Sequence, residues 1–200
     1  FPVIKPSVII LLREVVIGVT IGLFFSAILY SLEIAGHMID YVSGRSFATV
    51  VDPAGGYTST LTGSAYARFA FFIFVTGGGL MLVTGVLLES FIYWPLDETS
   101  FMINPLGGDM YVSLYGSMMT KAVVFAGPIL LCLFLVDLTL GLMSRFAPQM
   151  NVIAMSISVK SFLATFVMIS IVSIYASEIT DAAWANRADM IDILRKVLLW

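Results

Sequence analysis

The chain has 200 residues, of which 60% are hydrophobic and 12% are charged, and its mean hydropathy is +1.01. Soluble domains contain about 45–50% apolar and about 25% charged residues, so this composition excludes a water-soluble fold and also intrinsic disorder. Ten Lys and Arg oppose thirteen Asp and Glu, for a formal charge of −3, which argues against nucleic-acid binding. The chain opens on Phe1-Pro2 without a secretory signal, and we therefore expect its natural N-terminus to be missing.

Four long runs without any charged residue predict membrane-spanning helices. They are residues 15–32, 69–88, 122–136 and 161–177. A bilayer core about 30 Å thick needs roughly 20 apolar helical residues, and the third run reaches that length if its helix continues through Asp137 to Met143. The runs lack the strict alternation of barrel strands, so helices are the predicted solution.

The first run begins at two oppositely charged neighbours, Arg13 and Glu14. These side chains either neutralise each other at the membrane interface or face a partner. Gly18, Gly22 and Ser26 then recur at four-residue spacing, and such a small-residue face lets another backbone come close. The run therefore predicts a helix that packs against protein.

The linker 33–68 is long for a compact membrane protein, and long loops of this kind are more often functional than idle. It contains the sequence Asp52-Pro53-Ala54-Gly55-Gly56, which strongly indicates a turn. It also holds the lone histidine, His37, for which a structural or interfacial role is predicted, because a metal site or a Ser–His triad needs more groups.

The second and third runs contain helix breakers. Gly77-Gly78-Gly79 interrupts the second and Pro128 the third, so both helices are expected to be kinked or locally unwound. The stretch 146–159 is broken by Pro148 and reads as a re-entrant or interhelical turn.

Asp137 is an acid within an apolar segment. It could act as a proton-relay group, but a relay needs several aligned acids, so pairing with Arg145, with Lys160 or with a neighbouring subunit is favoured. Beyond residue 177 the apolar and charged positions follow helical spacing, which predicts an amphipathic helix. The Lys and Arg distribution slightly favours a cytoplasmic C-terminus.

No sequence pattern points to catalysis. HExxH, GxSxG and P-loop motifs do not occur, so the chain is not expected to be an enzyme, and no cofactor or metal is predicted.

The segment Gly141-Leu-Met-Ser-Arg-Phe-Ala-Pro-Gln-Met-Asn-Val152, followed by Val159-Lys160-Ser161, resembles the signature of the FliR/SctT (SpaR/YscT) family. These are export-gate subunits of bacterial type III secretion systems. Further matches follow in chain order: Arg13-Glu14-Val-Val-Ile-Gly18 with Gly22, then Gly36, Ser46-Phe47-Ala48 and Val51-Asp52-Pro53. Ser156 and Ser158 replace the Gly and Pro of flagellar members, which favours the injectisome branch.

The resemblance implies an all-α membrane protein of kinked helical hairpins, within a multi-subunit helical gate in the bacterial inner membrane. It implies that residues 1–110 form a FliP/SctR-like portion. Residues 111–200 would form a FliQ/SctS-like hairpin followed by a C-terminal amphipathic helix. The N-terminal hairpin of the family is expected to be missing. The implied partners are FliP/SctR-like and FliQ/SctS-like subunits, a FlhB/SctU-like switch protein and unfolded secreted proteins.

Two groups of site residues follow from the resemblance. The loop at about 44–56 corresponds to the family's pore plug, whose candidate residues are Gly44, Ser46, Phe47, Val50, Val51, Asp52, Pro53, Gly55 and Gly56. The candidate assembly residues are Arg13, Glu14, Gly18, Gly22, Asp137, Arg145, Pro148, Gln149, Asn151 and Lys160. In the plug, apolar side chains would close the pore and glycines would permit movement.

A competing hypothesis is an ion-coupled secondary transporter or channel subunit in which Asp137 and the glycine-broken helix bind the coupling ion. A membrane scaffold without any conduit is the third reading.

Overall fold

The structure is a computed structural model that describes residues 6–45, 49–51, 58–93, 95, 108–146 and 152–197. Five helices dominate it: α1 (Pro6–Ser43), α2 (Leu61–Thr76), α3 (Gly79–Tyr93), α4 (Gly108–Phe146) and α5 (Val152–Val197). Two three-residue strands, β1 (Thr49–Val51) and β2 (Thr58–Thr60), lie between α1 and α2.

The predicted membrane helices are confirmed in length and composition. Three helical segments are long and apolar enough to cross a bilayer, namely Ile10–Ser43, Gly108–Phe146 and Met155–Asp181. The pair α2 and α3 passes the same test as one span bent by 66°, which gives up to four spans. The all-α class predicted from the sequence is therefore correct, with one small β-ribbon added.

The glycine break predicted in the second span is present. Gly78 has φ +83°, a left-handed backbone conformation that favours glycine. At Gly79 an added Cβ would lie 2.5 Å from Cε2 of Phe74, so a side chain there would collide with the ring. The tight turn between α2 and α3 thus depends on these glycines.

At Pro128 α4 continues as helix from Gly108 to Phe146, so the local unwinding that the sequence allowed is not found, while a kink stays a prediction. Proline removes the N–H that would bond the carbonyl four residues earlier, at Val124. One turn away, the Tyr175 hydroxyl of α5 donates to the carbonyl of Phe125. This bond joins α5 to α4 one residue from the carbonyl that the proline frees.

The ends of α4 and α5 refine two further expectations. Since α4 ends at Phe146 and α5 begins at Val152, the turn predicted over 146–159 can occupy no more than the five residues between them, which lie outside the described residues. The predicted C-terminal amphipathic stretch is helical and continues α5 to Val197. The division of the chain at residue 110 stays a prediction.

The described residues form two compact units. Unit 1 contains those of Phe1–Ile28, Phe72–Met118 and Ile179–Trp200. In its core, Phe25 of α1 contacts Phe74 of α2 edge-to-face with ring centroids 5.8 Å apart. The hydroxyls of Thr20 and Tyr111 lie 2.8 Å apart and join α1 to α4 within this unit.

Unit 2 contains the described residues of Leu29–Phe71 and Met119–Glu178. The fully buried side chains of Leu32, Ile39, Ile129 and Leu133 belong to its core. Tyr175 contacts the rings of Tyr66 and Phe125 edge-to-face, at centroid distances of 5.8 and 5.3 Å. The β-ribbon also belongs to unit 2, and its strands are antiparallel with Val50 opposite Ser59.

Two glycines bring α1 and α2 into backbone contact in unit 2. A Cβ added at Gly36 would lie 2.7 Å from the Cα of Gly63, and a Cβ at Gly63 would lie 2.5 Å from Nδ1 of His37. The obstacle at Gly36 is backbone, which cannot rotate away. Any side chain at Gly36 must therefore push the two helices apart.

We expect Gly36→Ala to lower the free energy of unfolding by about 1–3 kcal/mol, the usual cost of overpacking. Chemical unfolding of the full-length protein in detergent measures this. Gly85→Ala is the matched control, because nothing lies within 4 Å of a Cβ added there. Equal stability of the two variants would show that the close approach is not needed.

Candidate functional site

The described ends of the predicted plug loop meet at one buried acid, Asp40. Asp40 lies in the last turn of α1 with a relative exposure of 0%. Its carboxylate contacts Arg45, at the start of the loop, and Thr62, which follows the loop. We call Asp40, Arg45, Thr60 and Thr62 the loop root.

The first contact follows from the way α1 ends. Gly44 has φ +79°, its N–H donates to the carbonyl of Tyr41 at 3.3 Å, and the N–H of Arg45 donates to the carbonyl of Asp40 at 2.9 Å. These two bonds and the left-handed glycine form a Schellman motif, a common helix C-terminus. The motif turns the chain back so that Arg45 faces the acid five residues earlier.

The Arg45 side chain then completes an ion pair. Its Nε lies 3.2 Å from Oδ1 of Asp40 and also donates to the hydroxyl of Ser43 at 3.1 Å. An isolated buried carboxylate would be costly, and a hydrogen-bonded cation offsets that cost. The beginning of the loop is thereby fixed to the end of α1.

The second contact is a helix cap supplied by another helix. Oδ2 of Asp40 accepts the backbone N–H of Thr62 at 2.6 Å, and Oδ1 accepts the Thr62 hydroxyl at 2.6 Å. Thr60 adds the ordinary cap, since its hydroxyl accepts the N–H of Gly63 at 3.2 Å. A negative charge at a helix N-terminus is favourable, so Asp40 stabilises the start of α2.

His37 extends the loop root along α1. Its Nδ1 lies 2.9 Å from the Thr60 hydroxyl, and its Nε2 lies 3.6 Å from Oε1 of Glu33. With the Thr60 proton directed to Nδ1, a neutral imidazole would present its Nε2–H to Glu33. These contacts give His37 a structural role, which is one of the two roles predicted from the sequence. In the described ranges, no three His, Cys, Asp or Glu side chains converge as metal ligands.

Lys160 of α5 joins two further helices beside the loop root. Its Nζ lies 2.5 Å from Oδ1 of Asp137 in α4 and donates to the carbonyl of Val42 in α1 at 3.2 Å. Val42 lies in the last turn of α1, where carbonyls have no helical partner. The sequence offered Arg145, Lys160 or a neighbouring subunit as the partner of Asp137, and in the structure Lys160 forms the ion pair.

The predicted plug residues are described in part. Gly44 forms the turn at the end of α1, and Val50 and Val51 lie in β1. β-branched residues and threonines favour strands, which accounts for the ribbon. Ser46, Phe47, Asp52, Pro53, Gly55 and Gly56 lie outside the described residues.

The predicted assembly residues do not gather at one place. Arg13 is 2% exposed; one of its guanidinium nitrogens donates to Glu14 at 3.1 Å and to the carbonyl of Pro95 at 3.2 Å. Gly18 and Gly22 are exposed, with nothing within 4 Å of an added Cβ. Arg145 is exposed, while Pro148, Gln149 and Asn151 lie outside the described residues.

Sequence reasoning missed Asp40, Arg45, Thr60 and Thr62. Two local signals point to part of this set. Gly44 follows the apolar run of α1, and glycine is common just after a helix C-terminus. Thr60 directly precedes the helical run of α2, and threonine is a common N-cap residue. The contact between Asp40 and Thr62 has no local signal, because it joins residues 22 apart.

We expect Asp40→Asn to lower the free energy of unfolding by about 3 kcal/mol. The amide leaves Arg45 without its anion and turns an N–H donor toward another donor, and breaking a buried pair costs about 3–5 kcal/mol. Unfolding in detergent measures the change. Asp181→Asn, at an exposed acid, is the control; a loss no larger than the control's would contradict the role given to Asp40.

At the second junction, Lys160→Met should destabilise the protein by about 2 kcal/mol and Asp137→Asn by about 1 kcal/mol. The first change removes both the ion pair and the bond to the Val42 carbonyl, whereas the second removes the ion pair alone. Lys160→Arg keeps the charge and serves as control. Equal losses for the first two variants would mean that the Val42 carbonyl contributes nothing.

The chain has relatives among bacterial secretion proteins. It is 32% identical over 161 residues to surface presentation of antigens protein SpaR of Salmonella typhimurium, which covers 80% of this chain and 59% of SpaR. It is 27% identical over 157 residues to Yop proteins translocation protein T of Yersinia pestis, covering 78% and 60%. It is 29% identical over 168 residues to flagellar biosynthetic protein FliR of Bacillus subtilis, covering 80% and 63%.

The alignments confirm the resemblance stated from the motifs, and the matches to SpaR and Yop protein T fit the favoured injectisome branch. The chain spans about 60% of the length of these relatives. Residues 2–184 match the model of the bacterial export proteins, family 1. Since this match extends over nearly all of the sequence, the chain belongs to the bacterial export proteins, family 1.

Proposed function

We propose that the full-length protein is a structural, non-enzymatic subunit of a type III protein export gate in the bacterial inner membrane, and that residues 44–56 plug its channel for unfolded substrate proteins. The observation that carries the proposal is the loop root. The base of a plug has to stay fixed while the loop yields to a passing polypeptide. Arg45 at the start of this loop and Thr62 after it are both bound to the buried carboxylate of Asp40.

Family membership supports the export role, because relatives are named for translocation and for flagellar biosynthesis. We infer that the chain assembles with FliP/SctR-like and FliQ/SctS-like subunits and with a FlhB/SctU-like switch protein. Unfolded secreted proteins would pass through the assembly, and the C-terminus would lie in the cytoplasm.

Exposed apolar surface supports assembly with other helices. Gly18 and Gly22 lie on an exposed face of α1 beside Val15 and Val19, which are 52% and 55% exposed. Small residues between aliphatic ones allow a second backbone to pack closely. This face fits a neighbouring subunit better than lipid chains, which gain nothing from the glycines.

The contacts of Asp137 weigh against the competing transporter. A carboxylate that binds a coupling ion has to exchange its partner during transport, whereas this one is engaged by Lys160. We therefore assign Asp137 to the α4–α5 hairpin rather than to an ion pathway.

Deleting residues 47–51 from the full-length protein should increase ion leakage through the assembled gate. The deletion removes Phe47, Val50 and Val51, and apolar constrictions exclude ions by dewetting. Membrane conductance of cells that express the complete apparatus measures the leak, and copurification of the partners verifies assembly.

A length-preserving variant separates the seal from the loop length. Replacing Phe47, Val50 and Val51 by Ser should also raise the leak, while Thr49→Ser should leave it unchanged. A gate that assembles with the deletion and conducts no more than wild type would disprove the plug.

A further inference from the structure

The last turn of α1, from which the predicted plug loop departs, is completed by a side chain of α5. Carbonyls in the last turn of a helix have no partner within the helix. The N–H groups of Gly44 and Arg45 donate to two of them, at 3.3 and 2.9 Å. The next carbonyl, that of Val42, accepts Nζ of Lys160 at 3.2 Å. One bond at the end of α1 therefore comes from another helix.

Lys160 also supplies the positive charge that a helix C-terminus favours. The last turn of α1 contains no basic residue of its own, and Arg45, which follows it, is engaged by the carboxylate of Asp40. A cation beside the last carbonyls interacts favourably with the helix dipole. The Lys160 side chain is only 12% exposed, so solvent and salt screen this interaction less than at an open surface.

The place of the Lys160 ammonium is in turn fixed by α4, because Nζ lies 2.5 Å from Oδ1 of Asp137. One turn earlier on α5, Ile157 lies against the left-handed glycine: a Cβ added at Gly44 would stand 3.3 Å from its Cγ1. Side chains three residues apart share one face of a helix. The same face of α5 therefore contacts the last turn of α1 and the residue at which the loop begins.

We propose that Lys160 and Ile157 are positioning residues of the plug. They hold the point at which residues 44–56 leave α1, so that the α4–α5 hairpin determines where the plug begins. The bonds of Asp40 join the two ends of the loop to each other, whereas this face of α5 joins the loop to the hairpin. The inference rests on the proposed function and adds to it the element that holds the plug in place.

A physical consequence follows for the closed channel. Without Lys160 the Val42 carbonyl loses its partner, and helix ends that lack such partners fray. Because Gly44 comes only two residues later, fraying moves the start of the loop. The seal should then loosen even though the residues that form it are unchanged.

Ion leakage through the assembled gate tests the proposal in cells that make the complete apparatus with the full-length protein. Lys160→Met should raise the leak severalfold, Lys160→Arg should return it toward wild type, and Asp137→Asn should have the smaller effect because the bond to Val42 remains. Ile157→Ala should also raise the leak, whereas Val159→Ala, at an exposed neighbour on α5, should not. Copurification of the partners verifies that each variant assembles.

Hydrogen exchange in the purified complex separates positioning from a general loss of stability. Lys160→Met should speed exchange at the N–H groups of Gly44 and Arg45 about tenfold, the factor expected from losing one hydrogen bond to a charged group. Val86→Ala removes buried methyl groups from α3 in unit 1. It should lower the stability of the protein without changing the leak or this exchange.

The deletion of residues 47–51 distinguishes the two ways of failing. If the deletion leaks and an assembled Lys160→Met gate does not, the positioning role is overturned and the plug stands. Equal leak and equal exchange in Lys160→Met and Val86→Ala would also overturn it, since stability alone would then account for both. A deletion that conducts no more than wild type would disprove the plug itself, and the positioning role with it.

Discussion

Burying the carboxylate of Asp40 imposes the constraint on which the candidate site depends. A charge removed from water has to be surrounded by donors, and three of them reach Asp40: the N–H and hydroxyl of Thr62 and the guanidinium of Arg45. These donors come from the two ends of one loop. The bonds that satisfy Asp40 therefore also close the loop at its base. The bonds from Thr62 cap the start of α2, and together with the Arg45 ion pair they hold the two ends of the loop together.

This arrangement is possible because two glycines let α1 and α2 touch. A side chain at Gly36 would press on the backbone of Thr62 and Gly63, so the Thr62 nitrogen could not stay 2.6 Å from the carboxylate. Lys160 adds α5 to the same corner by bonding the carbonyl of Val42, and Gly44 lies against Ile157 of α5. The end of α1 is thus held by three neighbours of different chemistry: a helix N-terminus, an arginine and a lysine.

The sequence was sufficient for features that depend on composition or on local chemistry. Charge-free runs identified the spanning helices, and three consecutive glycines identified the 66° break. At Pro128 the sequence left a kink and local unwinding open, because the way a proline is accommodated depends on the neighbouring helices, and only the unwinding is excluded by the continuous α4. Asp40 was overlooked because its burial depends on the packing of α2 against α1. The sequence around Asp40 does not show which helix will pack there.

The break between α2 and α3 also dictates how α5 must end. Where a spanning helix is interrupted, its backbone groups would face hydrocarbon unless protein shields them. In unit 1 the shield comes from α5, whose Thr180 and Trp184 side chains lie 3.4 and 3.8 Å from where a Cβ would stand on Gly77 and Gly78. This contact explains the length of α5. If α5 ended where its apolar run ends, the glycine turn between α2 and α3 would not be shielded by Thr180 and Trp184. In this protein the bend between α2 and α3 and the continuation of α5 beyond its apolar run belong to one packing arrangement.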